Sequence, residues 1–213
     1  MEARDDRLHA QDVAPRSPKT PALLIDLWSV YYAGLDEALA RQVGDLDLGP
    51  VPRGCQELDG VEFDLRGLVR LANSFSPDQP QPFPQKVEGI PVRQLCRRLH
   101  FLHAADTIEA DGAQIGSYVA HCADGKREEI PIIYGRDVVA WNLDPPRTNS
   151  LPHLAWKDHN RRYVPVQLFM STWDNPRPEV MIETIDFVSN NAKAAPFLVA
   201  ITAEPQISTQ TVE

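Results

Sequence analysis

A chain of 213 residues, 43% of them hydrophobic, can bury one proper core, and all-β domains of this size commonly form a single unit with tails. A formal net charge of -9 repels phosphate backbones and anionic bilayers at long range, which argues against a nucleic-acid partner and against a membrane surface. The three cysteines, Cys55, Cys96 and Cys122, lack Cys-x-x-Cys spacing and suggest neither a disulfide framework nor a zinc site, so the sequence as given reads as cytoplasmic.

Residues 1–21 combine charge with Pro15, Pro18 and Pro21 and few large apolar groups; they read as a disordered tail or linker ahead of a domain over 22–204, with 205–213 as a second tail. The segment ALLIDLWSVYYAGL, 22–35, fits both periodicities and is read as a short strand; DEALARQV, 36–43, carries helix signals and ends at Gly44. Over 61–71, Val61, Phe63, Leu65, Val69 and Leu71 share one parity and Glu62, Asp64, Arg66 and Arg70 the other, which predicts a strand with one wet face. Gly67 inside it points to a bulge or a close backbone approach. Four prolines between Ser74 and Gln85 force a loop.

Leu95–Ala104 returns to strand composition, and Asp106–Gly116 reads as a loop. The plainest signal follows: Ser117–Cys122 and Ile130–Tyr134 flank Asp124-Gly125, a pair suited to the positive φ angles of a tight hairpin. Val138–Trp141 extends or follows that hairpin, and Leu154–Trp156 forms a short strand among turns. Val164–Trp173, Met181–Val188 and Phe197–Ala203 close the chain as three further strands. Eight or nine short strands with little helix predict an all-β fold, a two-layer antiparallel β-sandwich. Arg97-Arg98 and Arg161-Arg162, read as strand ends, should split their charge between opposite faces.

Several phrases, in order, carry a likeness: VPRGCQELDGVEFDLRGLV (51–69), CRRLHFLHAAD (96–106), IGSYVAHCADG with EIPIIYGRDV, and STWDNPRPEVMIETIDFVS followed by APFLVAIT (195–202). Together they resemble galactose-binding-domain-like jelly-roll modules found as parts of larger bacterial proteins, over roughly residues 22–204. That resemblance implies a β-sandwich whose end loops take a ligand, without naming the ligand, since such folds host sugar binders, protein binders and spacers. Asn142 stands where the family pattern leads one to expect a second tryptophan beside Trp141.

The site candidates divide by chemistry. Trp141, Trp156 and Trp173 lie at or near strand ends, with Tyr134, Arg136 and Asp137 close to Trp141; an aromatic plane beside charged hydrogen-bonding groups suits a carbohydrate, whereas the same tryptophans could fill the core and Arg136–Asp137 could be a structural ion pair closing the sandwich end. Asp106, Glu109 and Asp111 on an irregular turn suit a structural calcium ion, or a solvated acidic loop. His100 and His103 form H-x-x-H, which a strand places on opposite faces, so they cannot chelate one ion together. Adjacent Cys122 and His121 diverge on a strand, and neither a P-loop nor a Gly-x-Ser-x-Gly elbow occurs. The leading expectation is a non-catalytic carbohydrate-binding module; a protein-interaction or spacer domain is the first alternative, and a metal-dependent hydrolase or lyase the second. Oligomeric state is open.

Overall fold

The computed structural model describes residues 13–36, 47–74, 83–143 and 151–206. Among them run twelve strands: β1 (Ala33–Gly34), β2 (Gly54–Leu58), β3 (Val61–Leu65), β4 (Gly67–Arg70), β5 (Lys86–Gln94), β6 (Cys96–Ala105), β7 (Gln114–Cys122), β8 (Arg127–Ile133), β9 (Leu154–His159), β10 (Pro165–Asp174), β11 (Ile182–Ser189) and β12 (Pro196–Pro205). They form a six-stranded sheet in the order β1-β4-β12-β6-β10-β9, a four-stranded sheet in the order β5-β11-β7-β8, and the separate hairpin β2-β3, every ladder antiparallel. The fold is the all-β antiparallel sandwich that the patterning predicts.

What clamps the two large sheets is a stack of rings. Phe101 of β6 lies 3.9 Å from Tyr118 of β7 at an interplanar angle of 9°, and Tyr118 lies 5.0 Å from Phe187 of β11. Each such ring, fully removed from water, contributes roughly 2–3 kcal/mol of burial before entropy is set against it. The Tyr118 hydroxyl finds a partner in His103 Nδ1 at 3.0 Å, while His103 Nε2 is buried with no hydrogen-bond partner among the described residues. Leu99, Phe101 and His103 thus define the inner face of β6, and Arg98, His100 and Leu102 the outer one.

The outer face is not left to solvent. Hairpin β2-β3 turns tightly at Asp59-Gly60, where both residues have positive φ (49° and 79°), and folds back across the six-stranded sheet. Thr202 of β12, the cross-strand partner of His100, donates to the Glu62 carbonyl at 2.6 Å, and Asp59 pairs with His153. Beneath this roof Leu102, Ala200 and Met170 are buried on the outer face while Phe101 is buried on the inner one. A strand covered on both sides reads as a continuous apolar run, which is why β6 carries so little alternation.

Departures from the sequence reading have local causes. The predicted strand over 22–35 is instead a 3-10 turn at Trp28–Val30 and the two-residue β1, because the Asp26 carboxylate accepts the Trp28 N–H at 3.0 Å and turns the chain. Leu23–Ile25 still pair with β12, Ile25 N–H donating to Ile201 and Ala203 N–H to Leu23. The predicted strand over 61–71 is two strands broken at Arg66, one in the hairpin and one in the large sheet. Gly67 sits at the break: a Cβ there would stand 2.7 Å from the Ala33 carbonyl oxygen and 2.9 Å from the Tyr31 ring, the expected close approach. Asp64, assigned to the wet face, is buried against Arg66 at 2.9 Å.

In the Asp124-Gly125 hairpin only Gly125 has positive φ, and Cys122 and Lys126 close a longer loop. Strands β2 and β5 escape the reading altogether; in β5, positive φ at Gly89 and Arg93 and the intervening Pro91 break the period. Beyond Asp36 the proposed helix lies outside the described residues, as does most of the proline-rich loop.

Candidate functional site

The predicted aromatic rim is dispersed. Trp141 and Tyr134 are each 2% exposed. Trp141 is knitted in by its backbone, donating to Ala105 and accepting from Gln167, and the Tyr134 hydroxyl accepts the Ala140 N–H at 3.3 Å. Their rings plug the end of the sandwich. Beside them Arg136 forks onto Asp137 at 2.9 and 2.8 Å, while the same carboxylate accepts the Ile133 N–H at 2.7 Å, so the pair fastens the turn that follows β8. Trp156 and Trp173 are half-buried but apart: Trp156 lies opposite Leu168 and Trp173 opposite Leu99. Leu168 and Trp173 differ by five positions along β10, which places the two rings on opposite faces of the sheet.

The acidic turn is also spoken for. The Asp106 side chain is only 5% exposed; its oxygens accept the Ala195 N–H at 2.9 Å and the Asn73 amide at 2.6 Å, with the Arg70 guanidinium at 3.6 Å. Burial raises its carboxyl above the usual range against the pull of these donors. Glu109 accepts the backbone N–H groups of Ala110 and Ala194. Among the described residues no group of three or more His, Cys, Asp or Glu side chains is arranged to hold a metal ion. His100 and His103 have separate partners on opposite faces of β6.

A different set of side chains converges. Antiparallel register places Thr202, His100 and Thr172 side by side across β12, β6 and β10, and sets Glu204, Arg98 and Asp174 in the next row of the same outer face. His100 Nδ1 meets Thr172 Oγ1 at 2.9 Å and its Nε2 lies 3.4 Å from Glu204. Arg98 donates to Asp174 at 2.6 Å and lies 3.7 Å from Glu204, which Arg97 also reaches. The two arginines were expected on opposite faces. A register shift explains why they share a carboxylate: Glu204 pairs with Arg98 but Pro205 with Cys96, so Arg97 is the extra residue of a bulge. Arg161 and Arg162, by contrast, sit on a turn.

Arg98, His100, Thr202 and Glu204 floor a groove of about 420 Å³. One wall is the hairpin at Gly60, Val61 and Glu62, and the other is the N-terminal segment at Pro21, Leu23 and Leu24. Burial holds the His100 imidazole below its ordinary value, opposed by Glu204, so at neutral pH the ring is uncharged and offers one donor and one acceptor. Burial would raise Glu204, but Arg97 and His100 outweigh it and keep the carboxylate ionised. The floor is a fixed lattice of planar donors and acceptors on rigid strands. In the sequence these residues lie as far apart as 21 and 205, and there His100 reads only as half of an H-x-x-H pair that cannot chelate one ion, and Arg98 as half of a strand-end pair.

No family model matches the chain, and no curated protein and no solved structure matches it. No helix among the described residues is long and apolar enough to cross a membrane.

Proposed function

We propose that this protein is a non-catalytic binding module whose ligand is a carbohydrate, taken in the groove over Arg98, His100 and Glu204. The observation that carries this reading is the row of planar polar side chains held ready on adjacent strands. Adjacent sugar hydroxyls each need a donor and an acceptor, and a carboxylate next to a guanidinium supplies both without further ordering cost. The likeness to galactose-binding-domain-like jelly rolls supports the ligand class by analogy. The test is a glycan array with the purified chain, followed by calorimetry on any hit with Arg98→Ala and Glu204→Gln. Loss of binding by tenfold or more in both variants, with unchanged circular dichroism, supports the reading. Hits that survive both substitutions move the site elsewhere, and an empty array at high protein concentration overturns the ligand class.

A second reading, a protein-interaction domain, is favoured by apolar exposure around the edge strand β9, where Leu151 is 73%, Leu154 45% and Tyr163 87% exposed. Pull-down lost in Leu151→Ser and Leu154→Ser, beside an empty glycan array, would favour it.

A further inference from the structure

We propose that Cys96 and Cys122 form a redox pair that closes into an inter-sheet disulfide when the protein meets a peroxide. The two thiols come from different sheets, Cys96 from β6 and Cys122 from β7, and both are free. Alternation alone would send Cys96 outward with Arg98 and His100. The bulge at Arg97 reverses this: Cys96 pairs with Pro205, one position past the outward-facing Glu204, and so turns to the inner face. Cys122 follows Tyr118 and Ala120 at period two, and Tyr118 faces Phe101 between the sheets. Both sulfurs therefore point into the interlayer space.

They also lie at the same end of it. β7 returns antiparallel to β6 across the sandwich, so moving from Phe101 to Cys96 and from Tyr118 to Cys122 leads in one direction. The loop after β10 touches both: the Asn175 amide donates to the Cys96 carbonyl at 2.9 Å, and two residues on, the Arg177 guanidinium lies 3.4 Å from Cys122 Sγ. The thiols sense each other electrostatically: burial, and next the Cys122 sulfur, push the Cys96 thiol up to about 11. Burial raises Cys122 as well; Arg177 opposes this, Asp124 and Glu128 add to it, and the net direction is upward.

These differences divide the labour. Cys122 is the less buried of the two, 6% exposed against 0% for Cys96, and lies beside the Arg177 guanidinium, which Asp124 and Glu128 share. The Cys122 thiolate attacks a peroxide oxygen, the O–O bond breaks, and a sulfenic acid forms with release of water from hydrogen peroxide. The Cys96 sulfur then displaces the sulfenic oxygen as a second water, forming the S–S bond. Two thiols and one hydrogen peroxide give one disulfide and two waters; the thiols lose two electrons and the peroxide gains them.

The full chain is titrated with hydrogen peroxide, unfolded in iodoacetamide without reductant, and digested with trypsin. A disulfide between residues 94–97 and residues 99–126 is expected, with Cys55 on its own peptide and an intact-mass loss of 2 Da. Cys122→Ser should leave Cys96 fully alkylated, and Arg177→Met should slow formation several-fold while Cys55 oxidises at its former rate. Alkylation of both Cys96 and Cys122 after Cys55 has been oxidised overturns the proposal, as does a disulfide made only through Cys55. Cys96→Ala provides a second fold-compatible control, in which Cys122 should progress to sulfinic acid instead.

Discussion

Replacing His103 and Tyr118 together by phenylalanine should flatten the acid side of the stability profile. His103 is fully buried and its imidazole, with no charged partner, is pushed down to about 4 from an ordinary value of 6.5, chiefly by burial, with a smaller opposing pull from Asp137. The folded value lies below the unfolded one, so the unfolded chain takes up a proton first. The stabilisation is complete above the unfolded value and drains away as pH falls through 6.5 towards 4. At 1.36 kcal/mol per unit, the loss amounts to about 2 kcal/mol at pH 5 and about 3 kcal/mol at pH 4. The double substitution removes both ends of the 3.0 Å hydrogen bond, so no polar atom is orphaned and the cost at pH 7.5 should stay within about 1 kcal/mol. Urea unfolding of both proteins between pH 7.5 and 4 gives the comparison; carboxylate titrations common to both cancel in the difference. Parallel profiles, with a gap that does not change across this range, would refute the reasoning.

Three further outcomes follow from the packing. Gly67→Ala drives a methyl group into the Ala33 carbonyl oxygen and the Tyr31 ring, and should cost about 2 kcal/mol or more by thermal or urea melts. Trp141→Ala should lower stability by about 3–5 kcal/mol through cavity formation, and any glycan hit should bind the remaining folded fraction with unchanged affinity, since its ring lies in the core. Removing divalent ions with a chelator should leave the melting temperature unchanged to within a degree, because Asp106 already spends its oxygens on Ala195, Asn73 and Arg70; a clear drop would instead support a calcium ion at Asp106, Glu109 and Asp111.

Strand composition was legible wherever burial was one-sided or the turn residues were plain. β7 and β8 announce themselves through the Asp-Gly pair between them, and β10, β11 and β12 through their apolar content. Of the missed strands, β5 contains Gly89, whose N–H is satisfied at 2.9 Å by the Asp186 carboxylate 97 positions away, a contact no local window can see. The groove was hidden for the same reason. His100, Thr172 and Thr202 meet only because three strands adopt one register, and a single bulge at Arg97 lets two neighbouring arginines reach the same Glu204. An aromatic residue at a strand end looks alike in sequence whether its ring closes a core, as at Trp141, or borders solvent.

The roof over the large sheet has a mechanical corollary. Strands β2 and β3 share a ladder only with each other, and besides the Thr202–Glu62 bond the tip of their turn is tethered through Asp59 to His153, both about half exposed, outside the groove. A tether so wetted holds weakly, so the breadth of the groove mouth answers to a residue that lines none of it: cutting at His153 should loosen one jaw while the floor of Arg98, His100 and Glu204 stays put.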